Sequence, residues 1–378
     1  MDSFFTDAYE YLVKRVENSL ENYDKNTMLR CLDILNNGKK NQRITIAGAG
    51  RSLQSVLLLA NELENRYGIR VNQVSNANLR PLRKGDIFIV NSRSGEGKSL
   101  EHAEFALKKG LDVIFITSNE EVKNIFENVI LIKSEINRRK EFAPLGTEFE
   151  QASAVLCSCM GYVYEKANKI DKFESRLKKT IEGLNSNLLH LEKQEDSVFN
   201  FTKLITNFLD INNKSLIYFK GAGINEIISR VIAIRYGHLH KEGYKDLNVV
   251  YEGHWKSRKQ DDLVVLISGS GQTSQIIKYA RQAGNIGMKL FAVTSFKDSN
   301  LARTNKWYRN YQGDLIIQGR SAMVSYYNVS INDVSKWFFP QFELNTYVTL
   351  DALLALIAKN NNISEEDMKK THRDRELE

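Results

Sequence analysis

Ile267-Ser268-Gly269-Ser270-Gly271-Gln272-Thr273-Ser274 is the stretch that decides the fold of this chain. The apolar run Leu263–Ile267 before it reads as a buried strand, and the residues from Ser274 to Ala280 after it read as a helix. A strand, a turn of small hydroxylated residues and a helix gather unpaired backbone N–H groups at the positive end of a helix dipole. Such a corner is suited to a phosphate.

An earlier stretch repeats the pattern. Asn91-Ser92-Arg93-Ser94-Gly95-Glu96-Gly97-Lys98-Ser99 follows the apolar run Ile87–Val90. Gly48-Ala49-Gly50 recurs as Gly221-Ala222-Gly223, an offset of 173 (221 − 48). Ser92-x-Ser94-Gly95 recurs as Ser268-x-Ser270-Gly271 at 176 (268 − 92), and Thr117-Ser118 as Thr294-Ser295 at 177 (294 − 117). Three markers in one order at a nearly constant offset indicate an internal duplication, and so long a period means two whole domains.

The 378 residues suffice for two ordinary domains, and 42% hydrophobic with 26% charged residues is a globular composition. The net charge of +7 is spread over short clusters such as Arg138-Arg139-Lys140 and Lys178-Lys179, with no nucleic-acid motif, so it reads as solvated surface and no nucleic-acid partner is expected. Three cysteines form no disulfide framework, and no secretory signal is evident, which points to a reducing cytoplasm. Cys157 and Cys159, two apart on a helical stretch, face different ways and read as core thiols, so no metal is expected. No apolar run approaches the ~20 residues needed to span a bilayer, so no membrane partner is expected.

In chain order, residues 1–42 read as two helices packing on the first domain. Residues 43–168 alternate strands and helices, with strands near 44–47, 70–74, 87–90, 113–116 and 129–132. Residues 169–213 form a charged helical connector. Residues 214–360 repeat the alternation, with strands near 216–219, 247–250, 263–267, 290–293 and 315–317. Residues 361–378 form a charged tail. Strands separated by helices give a parallel sheet covered on both faces, with ligands at the carboxyl ends of the strands.

The glycine turns exclude two nucleotide readings. Gly48-x-Gly50 is followed by Leu53, and Gly221-x-Gly223 by Glu226, where a dinucleotide fingerprint requires a third glycine. Gly97-Lys98-Ser99 ends like a P-loop, but Ser92 stands where its first glycine belongs. No cofactor is expected.

Together the motifs resemble the sugar isomerase (SIS) domain family, with its G-x-G turn after the first strand, S-x-S-G-[EQ]-[TS] loop after the third and Thr-Ser after the fourth. The resemblance covers most of both halves. The first half looks closest to 6-phospho-3-hexuloisomerase, through Gly48-Ala49-Gly50-Arg51-Ser52 and Pro144-Leu145-Gly146-Thr147-Glu148-Phe149-Glu150. The resemblance implies an α/β chain of two three-layer αβα SIS domains, each with a five-stranded parallel sheet, joined by the helical connector. It also implies a phosphosugar ligand, an isomerisation through an enediol, an intrachain pseudo-dimer and a homodimer.

Carried over residue by residue, Gly50, Arg51, Ser52, Ser92, Ser94, Glu96 and Ser118 are the expected substrate contacts of the first half. Gly223, Ser268, Ser270, Gln272 and Thr273 are those of the second. Glu150 matches the family's proton-carrying glutamate, although Thr147-x-x-Glu150 also reads as a capping box. His238 stands as far beyond Gly221 as the hexuloisomerase histidine stands beyond its first glycine, while the same count from Gly48 reaches Asn65. The second half keeps only Phe342-Glu343 of the Pro-Leu-Gly-Thr-x-Phe-Glu segment, so Glu150 and His238 or His240 are candidates to share one composite site. The alternative for the histidines is an interaction with a helix C-terminus. His254 matches a loop histidine between the second and third strands, or reads as an exposed loop residue. The first loop carries Gly97 where the family prefers a hydroxyl. Two rival functions remain open: another SIS enzyme, such as a phosphoglucose/phosphomannose isomerase or an aminosugar-phosphate isomerase or deaminase, and a phosphosugar-binding regulator without turnover.

Overall fold

A computed structural model describes residues 2–36, 42–76, 79–133, 138–250, 255–324 and 339–373. The chain divides into two compact units, one of Lys14–Ile136 and Glu148–Ile181, the other of Met1–Val13, Asn137–Thr147 and Glu182–Glu378. Each holds one five-stranded sheet.

The opening helices are α1 (Ser3–Glu21) and α2 (Lys25–Asn36). The first sheet follows as β1 (Ile44–Gly48), α3 (Gly50–Tyr67), β2 (Val71–Gln73), β3 (Ile87–Asn91), α4 (Gly97–Lys108), β4 (Asp112–Thr117), β5 (Asn128–Leu131) and α5 (Glu148–Val163). Its order is β2-β1-β3-β4-β5 and every pairing is parallel. β3 is buried at every position, as a strand covered on both faces must be. One face packs Phe88, Val90, Val113 and Phe115 on Ala103 and Ala106 of α4. On the other side of the unit α3 and α5 pack together, and a Cβ on Gly161 of α5 would lie 2.7 Å from the Glu62 Cβ of α3.

α6 (Lys169–Leu191) and α7 (Glu195–Thr206) occupy the stretch read as a connector. The second sheet is built from β6 (Ile217–Lys220), α8 (Ile224–Tyr236), a short hairpin of β7 (His240–Lys241) and β8 (Lys245–Asp246), β9 (Val249–Val250), β10 (Leu263–Ile267), α9 (Ser274–Asn285), β11 (Lys289–Thr294), α10 (Asn300–Lys306) and β12 (Tyr311–Ile316). The order β12-β11-β10-β6-β9 has the same connectivity as the first, again all parallel. Both halves thus hold five-stranded parallel sheets flanked by helices, as the sequence indicates. α11 (Gln341–Asn360) is buried along almost its whole length. The last strand starts earlier than the apolar residues at 315–317 suggest, because its first four residues are only half-buried and give no apolar run. The stretch read as a charged tail carries α12 (Glu365–Arg373), which buries Met368 beneath a polar exterior; residues 374–378 lie outside the described ones.

All three cysteines are buried and free, and burial pushes the Cys31 and Cys159 thiols up to about 12 and the Cys157 thiol higher still. They are inert core residues. Among the described residues no group of His, Cys, Asp and Glu is arranged to hold a metal ion, and no helix is long and apolar enough to cross a membrane.

A buried polar network ties the Pro144–Thr147 segment into the second unit. Arg235 of α8 is fully buried; its Nε donates to Asp351 Oδ1 at 2.6 Å and its Nη1 to the Pro144 carbonyl at 2.8 Å. The Thr147 hydroxyl donates to Asp351 Oδ2 at 2.6 Å and lies 3.1 Å from the Tyr347 hydroxyl. Removing one partner leaves a buried charge uncompensated. Asp351→Ala should therefore destabilise the protein by roughly 3–5 kcal/mol, read as a lower urea midpoint; a midpoint equal to the wild type's would refute the network's role.

Candidate functional site

In each sheet the chain leaves β1 or β6 in one direction along the sheet and β3 or β10 in the other, so the crevice between those strands opens at their carboxyl ends. The glycine turns lie there.

In the first unit the β1 turn begins α3 at Gly50, and the β3 loop begins α4 at Gly97. Neither helix has a side-chain cap: Ala49 cannot provide one and Glu96 makes no such bond. First-turn N–H groups are thus left for an anion. The β3 loop is fastened to the end of β4: the Thr117 hydroxyl and the Ser118 N–H both donate to the Arg93 carbonyl, and Asn119 Nδ2 donates to the Ser94 carbonyl. Gly95 has φ +65°, and a Cβ on it would come 2.5 Å from Val122 Cγ2, so only glycine fits. Ser94 and Glu96 are exposed and Ser92 is half-buried. The Ser118 hydroxyl is buried and has no hydrogen-bond partner, a costly state that a ligand oxygen would relieve.

Glu150 enters this site as the third residue of α5 and is 5% exposed. Its Oε2 lies 3.9 Å from Arg51 Nη1 and accepts no hydrogen bond. Asn91, missed as a functional residue in the sequence, organises the corner. Its Nδ2 donates to the Ser52 carbonyl at 2.7 Å and to Ser153 Oγ at 3.1 Å, while Ser153 and Ser55 both donate to the Glu150 carbonyl. Gly50, Arg51, Ser52, Asn91 and Glu150 are therefore gathered in one place. The signal for Asn91 was a polar residue ending an otherwise apolar buried strand.

The second unit repeats the corner with different charges. Gly223 immediately precedes α8 at φ 58° and ψ −130°, and α8 has no side-chain cap. In the β10 loop the Ser268 and Thr273 hydroxyls lie 3.2 Å apart, Ser270 Oγ accepts from the Gln272 N–H, and the Gln272 side-chain amide faces the Met323 sulfur at 3.8 Å. Gly271 matches Gly95, with φ +61° and a would-be Cβ 2.3 Å from Ser299. Glu343 is the third residue of α11, as Glu150 is of α5. It is fully buried and ion-paired with Arg320. Burial pushes its carboxyl above the usual range, against the opposing pull of Arg320 and Asn225. The Arg320 side chain also lies against Gly269, whose Cβ would be 2.8 Å from Arg320 Nε. Arg320 was invisible in the sequence because the repeat spacing breaks after β12: Glu343 stands 193 residues beyond Glu150 (343 − 150), not 173–177.

The histidines are placed elsewhere in their unit. His238 follows the far end of α8 from Gly223, about 20 Å away by helix rise, and its Nδ1 lies 3.1 Å from the Thr371 hydroxyl. His240 Nδ1 lies 3.6 Å from Asp246 in the β7–β8 hairpin. His254 falls outside the described residues. A separate cleft of about 710 Å³, lined by Arg83, Lys84, Asp112 and Glu127 among others, opens at the amino ends of the first sheet's strands, opposite the turns.

The SIS domain model matches residues 210–325. A protein of Archaeoglobus fulgidus is 30% identical over 162 residues, covering 43% of this chain and 81% of its own. A 3-hexulose-6-phosphate isomerase of Methanocaldococcus jannaschii is 28% identical over 156 residues, 41% of this chain and 74% of that one. The crystal structure of tagatose-6-phosphate ketose/aldose isomerase from Escherichia coli superposes with a TM-score of 0.68 at 14% identity, over 96% of this chain and 94% of that one. The chain belongs to the SIS domain family.

Because the Ser118 hydroxyl already lacks a partner, Ser118→Ala should leave the melting temperature within about a degree of wild type. It should also weaken binding of a hexose phosphate several-fold by calorimetry; unchanged affinity would remove Ser118 from the site.

Proposed function

We propose that the chain is a phosphosugar isomerase, acting like a 6-phospho-3-hexuloisomerase by moving a proton between adjacent carbons through an enediol. The observation that carries this reading is Glu150: a buried carboxylate with one oxygen unbonded, facing Arg51 from the glycine turn. A carbon acid needs such a base, and a cation near the oxygen that becomes negative lowers the same barrier. Ser92, Ser94 and Ser118 with the uncapped N–H groups of α3 and α4 are the proposed phosphate contacts, whose binding energy holds the reacting end of the sugar in place. In the second unit Gly223, Ser268, Ser270, Gln272, Thr273 and Arg320 form the matching anion site. There Glu343 is ion-paired with Arg320, while its second oxygen, like that of Glu150, accepts no hydrogen bond.

The test is isomerisation over a panel of sugar phosphates in D2O, with deuterium uptake at the carbon beside the carbonyl as the mark of an enediol. Glu150→Gln should retain binding and lower kcat by about 10²–10⁴-fold. Equal rates in wild type and Glu150→Gln would exclude Glu150. Stabilisation by a sugar phosphate with no turnover of any would make the protein a phosphosugar-binding regulator instead.

A further inference from the structure

The first unit carries a second concentration of positive charge that the glycine turns do not explain. At the end of α5, the Tyr162 ring has the Arg176 guanidinium carbon of α6 3.9 Å from its centroid, the Lys166 ammonium 3.0 Å away and the Arg66 guanidinium carbon of α3 5.3 Å away. Arg66 also lies 5.8 Å from the Tyr67 ring and 3.5 Å from Glu62, one turn earlier in α3. The glycine at position 161 lets the end of α5 come this close to α3.

Cations do not gather without cost. Burial lowers the Lys166 ammonium below the usual lysine range, and repulsion from Arg66 and Arg176 adds to it, while the Tyr162 phenol pulls the other way. Of the two carboxylates nearby, Glu62 pairs with Arg66 at 3.5 Å, and both it and Glu165 act on Tyr67, one ring further along. The phenol registers the two cations that face it, Arg176 and Lys166. Although burial alone pushes it up, hydrogen bonds and attraction from Arg176 and Lys166 bring Tyr162 down to about 8. A dianion seated among these groups would neutralise the mutual repulsion and accept hydrogen bonds from two guanidinium groups and an ammonium, the donor set best matched to phosphate oxygens.

We propose that Arg66, Tyr162, Lys166 and Arg176 form a second anion site, for inorganic phosphate or a phosphate monoester. It is separate from the turns at the carboxyl ends of the strands. Arg66 is 16 residues along α3 from Gly50, about 24 Å of helix rise, and Tyr162 is 12 residues along α5 from Glu150, about 18 Å. The two helices that begin at the candidate catalytic corner thus end at this cradle, which gives an anion bound here a rigid path to Arg51 and Glu150.

The phenol is its own reporter. In the difference between wild type and Tyr162→Phe, absorbance at 295 nm should show one tyrosinate step near pH 8. Adding inorganic phosphate at constant ionic strength, with chloride as the matched control for screening, should raise that midpoint by about one pH unit. Glycerol 2-phosphate, which has no carbonyl to isomerise, serves as the ester, so the outcome does not depend on the proposed enzyme activity. A shift at lower concentration with the ester assigns the site to monoesters, and the reverse assigns it to free phosphate. Lys166→Gln and Arg176→Gln, each checked for a cooperative melting transition, should raise the midpoint by themselves and abolish its response to either anion. A midpoint that phosphate and ester leave where chloride leaves it, or one that still responds in both variants, would overturn the proposal.

Discussion

Uncapped helix N-termini at the ends of parallel strands are the constraint on which the candidate site depends. Backbone N–H groups in the first turn of a helix have no intrahelical acceptor, and a side chain, water or an anion has to satisfy them. The helices that follow β1, β3, β6 and β10 begin at Gly50, Gly97, Ile224 and Ser274, each after a residue that makes no side-chain cap. Elsewhere the chain caps where it can: Ser299 accepts from the Ala302 N–H at the start of α10. α7 and α11 also start without a side-chain cap, so what sets the four corners apart is their place at the carboxyl ends of the strands that flank the two crevices. Glycines there, at φ values that other residues rarely adopt, bring the backbone close enough for its amides to act as ligands.

The two halves share this backbone chemistry and differ in their charges. Each places a glutamate at the third position of a long buried helix, and each sets an arginine against it, but the arginines come from different strands' ends. Arg51 belongs to the first glycine turn and stands off at 3.9 Å, whereas Arg320 follows the last strand and pairs directly with Glu343. The two units keep the carboxylate at the same helix position and differ in how it is held. Each carboxylate keeps one buried oxygen without a hydrogen bond, and the two differ in how the arginine meets them.

Most of the fold was legible because buried parallel strands announce themselves as unbroken apolar runs, as at Leu263–Ile267 and Ile87–Val90. β12 was placed late because Tyr311 to Asp314 face a half-buried edge and break the run. α12 read as tail because Met368 is almost alone on its apolar side. In the site, the small-residue turns were visible as local patterns, and Glu150 through the segment before it. Asn91 and Arg320 were not, since their roles come from neighbours distant in sequence: Ser153 for one, Glu343 and Gly269 for the other. His238 shows the reverse limit, since a matching count along the chain marked it while the structure sets it against Thr371, at the far end of α8 from its unit's glycine turn.

A crystal structure of the whole chain grown with a hexose 6-phosphate tests the central claim most directly. Phosphate density within hydrogen-bonding distance of the Ser92–Gly97 or Ser268–Thr273 loop is the predicted result. An ordered sugar phosphate bound elsewhere, with both loops empty, would contradict it.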